Sequence, residues 1–195
     1  MEARPGTFAR RPTPEQAQGP FYPLTRPAYA GADLTVVPGR TGRAQGQLIQ
    51  ISGRVLGTSG AAVSGARVEV WQANTFGRYT HPHDTNPTPL DPDFVGYGTV
   101  TTDAEGRYAF KTVKPGSYSI SERVQRTRHI HFCITSRSAR LITQMYFDGE
   151  PLNDTDPLLT ATEDKQDLIV KLLPPPPVVA RDMLVATWDI VLWDK

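Results

Sequence analysis

The sequence predicts an all-β fold: an antiparallel β-sandwich with Greek-key links, an extended N-terminal arm and one short C-terminal helix. Three observations predict it. From Leu48 onward, short β-branched runs alternate with Gly-, Pro- and Asp-containing turns at intervals of about ten residues. Before position 46 the chain shows neither a helical nor a strand period and carries prolines at 5, 12, 14, 20, 23, 27 and 38. Only one stretch, around Leu168 to Leu173, repeats apolar residues at helical spacing. A length of 195 residues suits one domain with an arm, since single β domains commonly exceed the usual domain size.

The arm spans residues 1–45, and the sandwich domain spans 46–195. Within the arm, Gly19-Pro20-Phe21-Tyr22-Pro23 is the one aromatic cluster, an anchor for docking on a core or a partner subunit. Leu48 to Leu56 and Ala66 to Ala73 alternate as strands, and Gly57-Thr-Ser-Gly60 between them reads as a hairpin connection. Gly98 to Thr102 leads into the turn Asp103-Ala-Glu-Gly106, followed by the strand Arg107 to Val113 and the turn Lys114-Pro-Gly116. The sheet continues through His129 to Thr135 and Leu141 to Phe147. Leu168, Ile169, Leu172 and Leu173 predict a surface helix, with Thr160 and Glu163 as its capping box and prolines 174 to 177 as its stop. Met183 to Trp193 then closes the sheet, with Leu184, Ala186, Trp188, Ile190 and Leu192 on one face. The loop from His81 to Phe94 is long for a hairpin, and such loops on rigid sandwiches commonly carry the site.

Composition narrows the function classes. The formal net charge is +1 with no basic run, so there is no electrostatic footprint for nucleic acid or an anionic membrane. A small molecule or another subunit is the expected partner. Cys133 is the only cysteine, which excludes an internal disulfide framework and favours a reducing, cytoplasmic location. Met1 to Thr13 lacks an apolar run, and no stretch of about 18 apolar residues occurs, so neither a signal peptide nor a membrane span is expected.

Chemistry concentrates in Arg126 to Thr135. On a strand, His129 and His131 project from one face while Ile130, Phe132 and Ile134 project from the other. Two imidazoles backed by an apolar ledge can reach one metal ion, the alternative being two hydrogen-bonded surface histidines. An all-imidazole zinc or copper site would need His81 and His83 to fold over this pair. A cupin-type iron site would need a downstream carboxylate, and Phe132 to Thr143 has none. The remaining ligand candidates are tyrosines. Phenolate is a hard anion suited to a trivalent metal, which displaces a proton whose ordinary pKa is about 10, so tyrosinate points to ferric iron. Tyr79 follows the turn Asn74-Thr-Phe-Gly-Arg78, and Tyr118 follows Lys114-Pro-Gly116. From spacing alone, an ordinary half-buried tyrosine is the favoured reading of each.

Several spaced motifs occur together in the order seen in intradiol ring-cleaving dioxygenases. They are Val70-Trp-Gln-Ala-Asn74, Gly77-Arg-Tyr79, Leu90-Asp-Pro92, Lys114-Pro-Gly-Ser-Tyr118, Arg126-x-x-His129-Ile-His131-Phe132 and Leu141-Ile-Thr-Gln144. The chain resembles that family from about Gly46 to Trp193, with Gly19-Pro20 matching the entry to the domain. Within the family it is most similar to the iron-binding subunits of the protocatechuate 3,4-dioxygenase branch. The resemblance implies one Fe(III) per chain, held by Tyr79, Tyr118, His129 and His131 with a solvent hydroxide as fifth ligand. Tyr118 would be the axial ligand that leaves the iron and takes a proton from the catechol. Arg126 would steady the electron-rich substrate, Gln144 would line the pocket, and His81 has a counterpart that is not a ligand.

The implied reaction opens a catecholic ring with dioxygen to a cis,cis-muconate-type dicarboxylate, in an oligomer of this chain or with a homologous subunit. Departures bear on the substrate. The segment from Tyr118 to His129 is shorter than in the protocatechuate branch, and Ile120 stands where that branch has a tryptophan. The upstream region supplying a tyrosine to the substrate carboxylate there has no match, and the Pro-rich arm does not resemble the helical dimerisation region of catechol 1,2-dioxygenases. An open pocket for catechol, substituted catechols or hydroxyquinol is expected. The rival class is a non-catalytic transthyretin-like sandwich module, whose hairpins resemble Gly65-Ala-Arg-Val-Glu-Val70 and Thr102-Asp-Ala-Glu-Gly-Arg-Tyr108. Such a module has no need of two tyrosines and two histidines in this order.

Overall fold

A computed structural model describes residues 9–27, 29–177, 180 and 182–193. Its strands in chain order are β1 (Leu48–Gly57), β2 (Arg67–Trp71), β3 (Tyr97–Thr101), β4 (Arg107–Val113), β5 (Tyr118–Ser119) and β6 (Gln125–Arg126), then β7 (His129–Thr135), β8 (Arg140–Phe147), β9 (Ile169–Val170), β10 (Met183–Thr187) and β11 (Ile190–Leu192). One sheet is centred on β1, which pairs with β4, β10 and β11, and the other runs β3-β2-β7-β8-β9. Strands β5 and β6 form a separate two-stranded ribbon. All-β architecture with little helix is thus observed.

The core lies between the two sheets. From β7, Ile130, Phe132 and Ile134 point into it and are fully buried, each side chain contributing roughly 1.5–3 kcal/mol relative to exposure. Phe132 meets Phe110 of β4 edge-on at 6.5 Å and Trp188 at 5.1 Å, which joins the two layers. The same alternation sends His129, His131 and Cys133 to the outer face of the second sheet. In register beside them lie Trp71 and Gln144, both opposite His131, and Tyr146, opposite His129.

Four connections differ from the sequence expectation. Gly57 to Gly60 does close a turn, with Gly57 N–H donating to Ala61 O and Val63 N–H to Val55 O, but β1 and β2 lie in different sheets. The hairpin is local, and the chain then crosses the sandwich. The sheets are also mixed: β10 and β11 run parallel to β1, and β9 runs parallel to β8. The expected closing strand is split at Trp188 and Asp189, although its register on β1 is kept from Leu48↔Met183 to Gly57↔Leu192. There the Asp189 carboxylate accepts from Arg54 N–H, and Tyr108 donates to Trp188 O.

The expected helix over Leu168 to Leu173 does not form. The only α-helical turn among the described residues, α1 (Pro157–Thr160), lies upstream, capped by Asp156 rather than by Thr160. Leu168 and Val170 are buried while Ile169 and Lys171 are less so, a strand-like alternation. Ile169 and Val170 pair with β8, and Leu173 bridges to Val185 of β10. The β-branched Ile169 and Val170, with β8 as a pairing partner, favour the extended form.

The arm is fastened along the sandwich. Thr13 N–H donates to Val191 O, Gln16 N–H to Ile142 O, and Thr143 Oγ1 to Pro14 O. Its prolines lack a donor, so these are single bonds rather than a ladder. Leu34 is fully buried in the core, and the arm therefore docks on its own chain. Among the described residues, no helix is long and apolar enough to cross a membrane.

Candidate active site

Two turns bring the tyrosines onto β7. The side chain of Asn74 accepts from Phe76 N–H and Arg78 N–H and donates to Pro89 O. Gly77 adopts φ 83°, and a Cβ there would lie 2.2 Å from Ser117 O. Only glycine tolerates both the conformation and the approach. The Lys114-Pro-Gly116 turn packs on this one, with Gly116 N–H donating to Asn74 O, so Tyr79 and Tyr118 emerge side by side. Their rings meet edge-on with centroids 5.6 Å apart.

His129 donates through Nδ1 to Thr127 O at 2.6 Å, which leaves the Nε2 lone pair facing away from the strand. That nitrogen lies 3.4 Å from the Tyr79 hydroxyl and 3.5 Å from the Tyr118 hydroxyl. The His131 ring stacks on Trp71 at 4.8 Å and lies 4.9 Å from His129; its Nδ1 is buried without a hydrogen-bond partner. The arm closes the group: Phe21 packs 4.6 Å from the Tyr79 ring and 6.3 Å from Tyr118. Gly19 abuts His131, whose Cε1 would lie 3.3 Å from an added Cβ. The structure thus brings Tyr79, Tyr118, His129 and His131 together. His81 and His83 instead contact each other, and His81 contacts Phe21; among the described residues, no ring contact or hydrogen bond joins them to His129 or His131.

Burial governs protonation here. It pushes the His129 imidazole down to about 3, aided by the Arg126 charge, and His131 well below its ordinary range, aided by His129. Both rings are neutral, the form that ligates a metal. Burial also pushes the Tyr79 phenol well up and the Tyr118 phenol up, with Arg126 opposing the latter. A buried phenolate therefore needs a cation beside it. Among the described residues, no trio of His, Cys, Asp or Glu side chains is placed to hold a metal, so a metal held here draws on the phenols. Two phenol oxygens and two neutral imidazoles fit a hard, highly charged cation.

Arg126 sits opposite Tyr118 in the β5–β6 ribbon and is 5% exposed. Its Nε donates to Asp156 Oδ2 at 2.8 Å, and its Nη2 donates to Gln144 Oε1 at 2.7 Å and the Tyr146 hydroxyl at 3.3 Å. Gln144 is fully buried behind Arg126 and donates from Nε2 to Ala17 O of the arm. Tyr146 donates to Gln16 Oε1. Ile120 is 58% exposed at the mouth of a cleft of about 960 Å³. Tyr118, Arg126, Phe21, Pro157 and Leu158 line the same cleft. Asp156, Tyr146 and Trp71 are contacts that sequence reasoning missed. For Asp156 a signal existed, since an Asp followed by Pro is a helix start.

A family model described as Dioxygenase matches residues 18–194. The protocatechuate 3,4-dioxygenase beta chain of Burkholderia cepacia is 41% identical over 162 residues, covering 81% of this chain and 63% of its own length. Catechol 1,2-dioxygenase 1 of Acinetobacter lwoffii is 34% identical over 155 residues, covering 72% of this chain and 48% of its own length. The chain thus spans about half to two thirds of these relatives. Among solved structures, the dioxygenase domain of a dioxygenase carbohydrate-binding protein fusion from Streptomyces sp. SirexAA-E superposes with a TM-score of 0.70 at 30% identity, covering 93% of this chain and 98% of that one. With its Dioxygenase match and its 41% identity to a protocatechuate 3,4-dioxygenase subunit, this chain belongs to the intradiol ring-cleaving dioxygenases.

Proposed function

We propose that this chain opens a catecholic ring between its two oxygen-bearing carbons, using dioxygen and one Fe(III) per chain, to give a cis,cis-muconate-type dicarboxylate. The observation that carries this is the convergence of both phenol oxygens on His129 Nε2 next to the cleft that Arg126 lines. In this reading Tyr79, Tyr118, His129 and His131 hold the iron. When bound, the ferric ion supplies an electron-accepting Lewis acid at which catechol and dioxygen are activated.

The protein's own groups do the rest. Tyr79, buried, stays put, whereas Tyr118 lines the cleft and, as the phenolate, takes a catechol proton on its oxygen to become the neutral phenol. Arg126 turns its remaining guanidinium edge to the substrate, where it stabilises negative charge developing on the ring. Gln144 and Tyr146 hold that edge, so Gln144 acts on substrate through Arg126. Phe21 and Trp71 exclude water from the ring nitrogens and phenols. Arm (1–45) and sandwich (46–195) serve as one catalytic unit, because Gly19 and Phe21 complete the site.

The cleft also bears on the substrate. Ile120, Pro157 and Leu158 give it an apolar wall, Asp84 and Glu122 stand among its lining, and Arg126 is the one Lys or Arg among the described lining residues. Catechols with uncharged ring substituents fit this better than carboxylated ones, because an unpaired carboxylate is costly to desolvate. An oligomer, of this chain or with a homologous subunit, and a cytoplasmic setting complete the reading, and the free, buried Cys133 accords with a reducing compartment. The transthyretin-like alternative is not favoured, since a binding module has no use for the buried tyrosine, histidine and arginine set. Turnover of catechol under ¹⁸O₂ tests the proposal: both product carboxyls gain label if it holds, and an extradiol aldehyde overturns it.

A further inference from the structure

Asp156 is 0% exposed and all of its acceptor capacity is committed. Oδ2 accepts from Arg126 Nε at 2.8 Å and from Thr127 N–H at 2.9 Å. Oδ1 accepts from Leu158 N–H and Leu159 N–H, each at 3.0 Å. One carboxylate therefore ties together the cleft's cation and the α1 turn that supplies the apolar wall residues Pro157 and Leu158. With Nε bound to Asp156 and Nη2 to Gln144 and Tyr146, Nη1 is the guanidinium nitrogen without a protein acceptor among the described residues. It is the edge left for the cleft.

We propose that Asp156 is a positioning residue for ring cleavage: it fixes the direction in which Arg126 presents its free edge to the substrate, and it sets that edge against the α1 wall. This rests on the proposed function. A negative charge beside Arg126 subtracts from the field the guanidinium sends into the cleft, so charge alone predicts that removing it speeds the reaction. Orientation predicts the opposite, because a displacement of about 1 Å in a charge-stabilising group can cost a hundredfold in rate. The two effects have opposite signs, and the orientation effect is the larger.

The variant that separates them is Asp156→Asn in the full, iron-loaded chain. An asparagine still caps α1 well, but its amide cannot accept from Arg126 and Thr127 while Oδ1 keeps Leu158 and Leu159. Expected are an unchanged iron content and visible band, a catechol dissociation constant in anaerobic titration within about twofold of wild type, and kcat lowered about a hundredfold. Because Asp156 acts through Arg126, the double variant Arg126→Gln/Asp156→Asn should be no slower than Arg126→Gln alone by more than about twofold. A wild-type or faster kcat in Asp156→Asn overturns the proposal, as does a double variant whose losses multiply. Asp156→Ser, which also caps α1, replaces the asparagine variant if that one fails to fold. If neither folds, Asp156 is a folding residue and the proposal falls. A wild-type chain with no ring-cleaving activity fails the functional reading itself, which is a separate result.

Discussion

Tyr118 and Arg126 are direct cross-strand partners in the β5–β6 ribbon. Residues so placed share a face, so the group proposed to receive the catechol proton and the group proposed to stabilise the resulting charge are held in fixed relation. Only two residues of each strand make this ribbon. Its stiffness comes from what its ends hold, namely Asp156 and Gln144 on Arg126 and the Tyr79 ring against Tyr118.

From the ligand assignment, Tyr79→Phe should lose or shift the phenolate-to-iron absorption band, and His131→Ala should lose iron. Metal analysis and a visible spectrum check both. Full iron content with an unchanged spectrum in the two variants removes these residues from the metal.

Arg126→Ala should leave iron content within error and lower kcat by about 10²–10³-fold, the range for removing one donor aimed at developing charge. Steady-state kinetics and metal analysis on one preparation check it. A loss of iron in proportion to the loss of rate would mean that Arg126 acts on the fold.

Gly77→Ala tests the turn rather than the ligands. A Cβ would lie 2.2 Å from a backbone oxygen at a φ of 83°, so the Tyr79 and Tyr118 turns must part. The expected outcome is a soluble protein with a weakened visible band and a lower melting temperature, read by spectroscopy and calorimetry. An unaltered band would show that the two turns do not set the tyrosine spacing.

Much of the site was legible because it obeys local rules. A period of two places His129 and His131 on one face and Ile130, Phe132 and Ile134 on the other. Tyr79 and Tyr118 were legible through motif order, since nothing local separates them from packing tyrosines. Asp156 was not, because its partner Arg126 lies 30 positions away and the pair exists only once the α1 turn folds over β6. The fold shows the same divide. The strands were readable from alternation, but the parallel pairing of β10 and β11 with β1 joins residues at opposite ends of the chain. Leu168 to Leu173 misled because a short apolar run fits either period, and β8 decided in favour of the strand.

Glu69 gives a pH prediction away from the proposed iron ligands. It is 1% exposed and receives hydrogen bonds from Tyr97 and Tyr22, with Arg67 and Arg26 alongside. Burial pushes its carboxyl up, but the Tyr97 and Tyr22 hydroxyls and the two arginines outweigh it, so its pKa is lowered from 4.5. The folded state then binds fewer protons than the unfolded one near that value, and the stability contributed is fully present above 4.5 and lost as pH falls through the folded value. Glu69→Gln should flatten the acid limb of stability against pH and, through Tyr22, loosen the arm. Denaturant melts between about pH 3 and pH 6 check this. An acid limb identical to wild type would show that Glu69 is not coupled to folding.

The last prediction concerns which catechol the cleft accepts. Substrate discrimination is a difference in transition-state binding, and a site without a partner for a buried carboxylate rejects it strongly. Asp84 and Glu122 lie along the cleft, Ile120 stands at its mouth, and Arg126 is already bound to Asp156 and Gln144. A carboxylate on the ring would meet like charge and compete with the reacting end of the ring for the one free edge of Arg126. The expected order of kcat/KM therefore places 4-methylcatechol and catechol above protocatechuate. Glu122→Lys, which reverses one of the two charges, should narrow the gap for protocatechuate while leaving catechol nearly unchanged, because Glu122 makes no hydrogen bond or ion pair with Tyr118 or Arg126. If protocatechuate instead exceeds catechol by a hundredfold, about 2.7 kcal/mol of transition-state binding must come from a cationic group outside this cleft, and a neighbouring subunit is where to look for it.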